Sequence, residues 1–174
     1  MKPLPVEQGF PPVVGAGPKL LILGSLPGRK SLLERQYYAQ PHNAFWKIMR
    51  ELCAAGPELA YGERLAKLAE QGVALWDVLA AGQRPGSLDA AIVKATAISN
   101  DFQRFFARNE SIRLICFNGK TAAALYTRRV MPRLSPDYAA IRSVTLPSTS
   151  PAYAAMRFEE KLARWSAVIS PILR

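Results

Sequence analysis

Cysteine and histidine are scarce here: Cys53, Cys116 and His42 are the only ones in 174 residues. The two cysteines show no CxxC spacing and cannot supply the four thiolates of an ordinary iron–sulfur cluster, and a conventional zinc site lacks its ligands. Metal-free chemistry is therefore expected, in a reducing compartment that keeps both thiols free. Long hydrophobic runs are missing too. No stretch is long enough to span a bilayer, and prolines interrupt residues 1–12 before a signal-like apolar core can develop. A cytoplasmic chain with no membrane partner is expected. Acidic residues are in deficit, 13 against 23 lysines and arginines, so the net charge is +10. That balance favours an anionic partner, nucleic acid first, because phosphate contacts supply most of its non-specific affinity. Lysines and arginines scattered over an ordinary basic surface would give the same count.

The length suits one domain, residues 1–174, able to bury a core without disulfides or a structural metal. Short apolar runs alternate with amphipathic segments, the pattern of an α/β fold with a parallel sheet. Leu20 to Leu23, Val73 to Val78, Ile112 to Phe117 and Ile141 to Leu146 read as strands. Phe45, Ile48, Met49 and Leu52 mark one helical face, Phe102, Phe105 and Phe106 a second, and Phe158, Leu162, Trp165 and Ile169 a third. Ala80 to Leu88, with Gly82, Pro85 and Gly86, and Met131 to Asp137 read as loops.

Ligands of an open parallel sheet bind beyond the carboxyl ends of its strands, so the residues there carry the functional reading. The first strand leads into Gly24-Ser-Leu-Pro-Gly28, and the second carries Trp76 and Asp77. The third ends at Asn118, Gly119 and Lys120, and the fourth enters Pro147-Ser-Thr-Ser-Pro-Ala-Tyr153. A glycine turn lets backbone approach a ligand closely, an aromatic offers a face to stack on, and a neutral amide can aim at reacting atoms. Each element also has a plainer explanation. The turn could simply join strand to helix. It is not a phosphate-binding Walker loop, because three residues, not four, separate Gly24 from Gly28 and Arg29 precedes Lys30. Asn43 could cap a helix. Asp77, at the end of a buried strand, needs either a partner such as Arg84 or a role in reading a base. His42, beside Pro41, reads as a surface or capping residue. The Ser/Thr loop could be a turn before the last helix, or its hydroxyls and N–H groups could grip phosphates.

Several segments together resemble a known family. Gly24-Ser-Leu-Pro-Gly28, Ser31-Leu32 and Gln36-Tyr-Tyr-Ala-x-Pro-x-Asn-x-Phe-Trp46 are followed by Ala74-Leu-Trp-Asp-Val78 and Gly86-Ser-Leu-Asp89. Then come Asn100-Asp-Phe102, Phe117-Asn-Gly119 and Ser148-Thr-Ser-Pro-Ala152. In that order, over nearly the whole chain, they resemble the hypoxanthine-DNA glycosylase branch, the sixth family, of the uracil-DNA glycosylase superfamily. The resemblance implies a three-layer α/β/α domain with a central four-stranded parallel sheet, and hydrolysis of the N-glycosidic bond of a deaminated base without a cofactor.

The resemblance also assigns roles. Where relatives place an activating Asp or Asn in the first motif this chain has Leu26, which cannot polarise water, and the duty passes to Asn43. Gly24, Ser25, Leu26, Pro27 and Gly28 would line the base pocket, with Tyr38 stacked on the base and Asp77 where the uracil enzymes put a base-reading Asn. Ser148 stands where many relatives begin the second motif with His, and Tyr153 replaces an expected Asn. Lys120, Ser148, Thr149, Ser150, Pro151, Ala152, Tyr153 and Arg157 would contact DNA, with Ala152 or Tyr153 entering the stack. The expected product is an abasic site left by a monofunctional, monomeric enzyme for downstream repair enzymes. A non-catalytic damage sensor on the same fold is the alternative.

Overall fold

The computed structural model describes residues 2–173. In chain order its elements are β1 (Val6–Gln8), β2 (Leu20–Gly24), α1 (Arg29–Glu34), α2 (Phe45–Cys53), α3 (Tyr61–Glu70), β3 (Val73–Asp77) and β4 (Leu79–Gln83). There follow β5 (Val93–Ser99), α4 (Phe102–Arg108), β6 (Leu114–Asn118), α5 (Lys120–Arg129), α6 (Pro136–Ala139), β7 (Arg142–Leu146) and α7 (Phe158–Ile169).

β2, β3 and β6 are buried along their whole lengths and read as continuous apolar runs, as strands covered on both faces must. With β7 they form a parallel sheet of order β3-β2-β6-β7, with Leu20 opposite Val73 and Leu114, and Leu114 opposite Arg142. Strand side chains alternate between faces, and the core divides accordingly. Leu20, Ile22, Val73, Leu75, Leu114 and Cys116 point toward α2, α3 and α7, where they meet Phe45, Trp46, Leu68 and Trp165. Leu21, Leu23, Ala74, Trp76, Ile115 and Phe117 point the other way, against Phe102, Phe105 and Phe106 of α4 and Leu125 and Tyr126 of α5. The result is the expected three-layer sandwich. Cys53 and Cys116 are free and lie in the first of these clusters, where burial pushes both thiols up to about 12.

A second, antiparallel sheet of order β1-β4-β5 corrects the sequence reading. The segment Ala80 to Leu88 is not all loop, because β4 occupies its first half, pairing with β1 from Val6↔Gln83 to Gln8↔Ala81. Two register shifts in its pairing with β5 hide β4 from a search for strict alternation. Likewise Met131 to Asp137 contains a 3-10 turn, Met131–Arg133, and the start of α6. From β1 the chain runs along the outer edge of β3, where Val13 and Leu75 exchange backbone hydrogen bonds of 2.9 Å. This arrangement places β1 and β4 beside the carboxyl end of β2.

Candidate active site

A cavity of about 620 Å³ opens beyond the carboxyl ends of β2, β3, β6 and β7. Every residue assigned above to catalysis, to the base or to DNA lines it except Arg157, the exposed residue preceding α7. His42 is exposed and outside the lining. A smaller cavity of about 290 Å³, between α4 and the end of α5, contains none of these residues.

Gly24 sets how closely the strand ends approach. A Cβ there would lie 2.5 Å from Asp77 Oδ1 and 3.1 Å from the Tyr38 hydroxyl. Only hydrogen fits beside these groups. Gly24→Ala is therefore expected to displace Asp77 or Tyr38, at a cost of roughly 1–3 kcal/mol. Urea unfolding at constant m-value would measure it, and an unchanged midpoint would show that the strand ends are looser than described.

The turn after Gly24 is held from behind by a wholly buried Arg84 side chain. Its guanidinium donates to the Leu26 carbonyl at 3.3 Å and to the Pro27 carbonyl. It also pairs with Glu7 of β1 at 2.9 Å and with Asp89 at 3.4 Å, while the Ser25 hydroxyl donates to Asp89 at 3.0 Å. Glu7 of β1 and Arg84, just after β4, thus brace a loop of the parallel sheet from the antiparallel one.

Of the two roles open to Asp77, a partnership with Arg84 finds no ion pair among the described residues. Asp77 is 4 % exposed and its Oδ2 meets no hydrogen-bond partner among the described residues. Burial, then the neighbouring Asp89, pushes its carboxyl up to about 7, and Arg84 opposes the shift from a distance. Beside it Tyr38 adopts φ 54°, a left-handed backbone that is uncommon for a bulky residue. Its half-buried ring stacks on Phe45 with centroids 3.9 Å apart, so one face is already covered. Its hydroxyl is buried without a hydrogen bond of ordinary geometry. Burial first, then the Asp77 charge, holds that phenol far above its usual range, with the Asn118 amide offsetting part of the effect.

Asn43 is not the N-cap of α2, a position that Ala44 takes. It stands one residue earlier, where its Oδ1 accepts from the Phe45 N–H at 2.9 Å in an Asx-type turn leading into the helix, and its half-buried side chain lines the cavity. The next residue ties this corner to the Ser/Thr loop, the Ala44 N–H donating to the Thr149 carbonyl at 2.9 Å. Thr149 is in turn clamped by Asn118, whose Nδ2 donates to Thr149 Oγ1 and whose Oδ1 accepts from the Thr149 N–H, both at 2.9 Å. The Ser148 and Ser150 hydroxyls accept from the Ser150 and Ala152 N–H groups at 3.2 Å. Gly119, at φ 95°, lets α5 start against Ser148, with Lys120 exposed at its first turn.

Helix α7 anchors the far end of this loop. Trp165 Nε1 donates to the Pro147 carbonyl at 2.9 Å, and the 5 % exposed Lys161 donates to the Tyr153 carbonyl at 2.9 Å. Burial lowers the Lys161 pKa. The sequence reading named Arg84 only as a possible partner of Asp77 and did not single out Glu7 or Lys161. One signal existed for Lys161, which falls on the apolar stripe between Phe158 and Trp165.

Fold and cavity define an α/β domain whose main cavity opens beyond the carboxyl ends of a parallel sheet. Comparison with known proteins makes the class specific: the family model of the uracil DNA glycosylase superfamily matches residues 11–169, and the chain belongs to that superfamily. Over 118 residues it is 38% identical to a hypoxanthine DNA glycosylase of Methanosarcina acetivorans, a match covering 67% of this chain and 73% of the relative. Over 115 residues it is 39% identical to the hypoxanthine DNA glycosylase of Methanosarcina barkeri, covering 66% and 72%. A solution NMR structure from Methanosarcina acetivorans, described as a candidate uracil DNA glycosylase, superposes with a TM-score of 0.78 at 32% identity. It covers 96% of this chain and 98% of that one.

Proposed function

We propose that this chain is a monofunctional DNA glycosylase that hydrolyses the N-glycosidic bond of a deaminated base, hypoxanthine in deoxyinosine first and uracil as a second substrate. The observation that carries the reading is the convergence of Asn43, Tyr38, Asp77 and the Gly24–Gly28 turn on one cavity large enough for a base. Flipping the nucleotide into it costs a few kcal/mol, less at a weak or mismatched pair. Breaking the bond leaves positive charge on the sugar at C1′ and negative charge on the departing base, and N–H groups of the Gly24 to Gly28 turn would stabilise the latter.

Leu26 offers no acceptor, so water at C1′ falls to Asn43. One lone pair of its Oδ1 is fixed by the Phe45 N–H. The other remains to accept from a water, which this geometry would orient. Water supplies the hydroxyl at C1′, and its remaining proton returns to the base. Lys161 is committed to the Tyr153 carbonyl and is read as a loop anchor rather than a nucleophile, so strand cleavage is not expected. Lys120 and Arg157 supply phosphate contacts around the mouth, together with the loop from Ser148 to Tyr153. The abasic product passes to downstream repair enzymes, and a monomer acting in the cytoplasm fits this reading. No helix among the described residues is long and apolar enough to cross a membrane.

The test is base release from labelled duplexes carrying one deoxyinosine or one deoxyuridine, with alkali revealing the abasic site. Release of hypoxanthine supports the assignment. Tight binding of the damaged duplex with no release of either base overturns it in favour of a damage sensor.

A further inference from the structure

We propose that Asp77 meets the flipped base as a neutral carboxylic acid and reads a lactam edge, accepting from the ring N–H and donating to the adjacent carbonyl. The inference rests on the glycosylase reading and names what the site selects: bases whose deamination has turned an amino-substituted ring carbon into a carbonyl beside an N–H. A carboxylic acid presents one donor and one acceptor side by side, which pairs with a lactam through two hydrogen bonds. An ionised carboxylate only accepts and would face the base carbonyl with like charge.

The surroundings of Asp77 favour the neutral form. Its carboxyl is pressed against Gly24, so it cannot swing to another partner without moving the strand end. From the connection between β4 and β5 it faces Asp89 and Arg84, and from the segment before α2 it faces Tyr37 and Tyr38. Asn118, at the end of β6, is uncharged. Arg84 is the cation acting on it, and that guanidinium is committed to Glu7 and Asp89. An ionised Asp77 would be a buried charge beside a second carboxylate with no ion pair of its own, which burial strongly disfavours. Asp77 Oδ2 and the Tyr38 hydroxyl are both buried without a hydrogen-bond partner among the described residues, so neither group is committed elsewhere.

Single-turnover base release, followed from about pH 6 to about pH 8.5, tests this. With the Asp77 proton lost near about 7, wild-type release from both deoxyinosine and deoxyuridine should fall by about 30-fold across the range, with the slope of one ionisation. Asp77→Asn offers the same donor and acceptor at every pH. Its rate should stay flat and lie within about tenfold of wild type at the acid end. A wild-type rate that is flat or rises with pH overturns the inference, as does a folded Asp77→Asn variant that releases no base at the acid end. A second readout avoids turnover: the infrared band of a protonated carboxyl in the free protein, lost in Asp77→Asn. Its absence at the acid end sinks the neutral-acid assignment and leaves the glycosylase reading standing. A wild-type protein that releases neither base at any pH overturns the glycosylase reading itself, and this inference with it.

Discussion

Asn43→Ala is expected to lower the single-turnover rate of hypoxanthine release by about 100- to 1,000-fold, the range found when a single group acting on the transition state is removed. The Leu26 side chain has no acceptor with which to take over. The alanine variant also loses the hydrogen bond to the Phe45 N–H, at a cost of about 1 kcal/mol of stability. Rate and fold must therefore be separated. Asn43→Ser keeps an oxygen that can accept from the Phe45 N–H but is too short to hold a water over C1′, so it should unfold near the wild-type midpoint and release base as slowly as the alanine variant. Asn43→Asp keeps both that hydrogen bond and the acceptor, and should retain activity within about tenfold of wild type. A serine variant with the wild-type rate would remove Asn43 from the mechanism.

The largest stability effect is expected at Arg84. Arg84→Met keeps an aliphatic stem in the buried space but withdraws the charge from Glu7 and Asp89 and the donors from the Leu26 and Pro27 carbonyls. Breaking a buried pair from one side typically costs about 3–5 kcal/mol, because the other charge is left uncompensated. Glu7, whose side chain is 14% exposed, carries most of this; Asp89, at 41%, is better solvated and carries less. Adding Glu7→Gln should restore at least about half of the loss, the signature of coupling between two residues in contact. Urea unfolding of the four proteins of the cycle measures the coupling. A loss that Glu7→Gln leaves untouched would mean that Arg84 acts through packing rather than charge.

The parallel sheet is legible in the sequence because burial on both faces turns β2, β3 and β6 into unbroken runs of Leu, Ile, Val and aromatic residues. The strand ends are legible for a related reason: where an apolar run stops, Gly24, Asp77 and Asn118 stand out against it. The antiparallel sheet is not legible. β5 mixes Lys94, Thr96 and Ile98 on a half-exposed ribbon, and β4 changes register twice. The pairing of Arg84 with Glu7 was not legible because a buried charge looks like any surface charge until its partner is located, and these two come together only through the pairing of β1 with β4, which the sequence conceals. The dual position of Asn43 was open from the sequence. Its hydrogen bond to the Phe45 N–H and its place in the cavity wall became visible only once α2 and the Ser/Thr loop were seen to share the Ala44–Thr149 hydrogen bond.

The strand order β3-β2-β6-β7 has a consequence for how the molecule is made. β2 sits inside the sheet, yet its second neighbour, β6, is translated only after β3, β4, β5 and α4. A growing chain therefore carries the Gly24–Gly28 turn and Asn43 long before Asn118, Thr149 and Lys161 exist to set the opposite wall. Pairing over such sequence separation is slow and cannot be rehearsed locally. The opposite wall of the pocket, with Asn118, Thr149 and Lys161, is complete only once β6, β7 and α7 have been made and packed against the sheet.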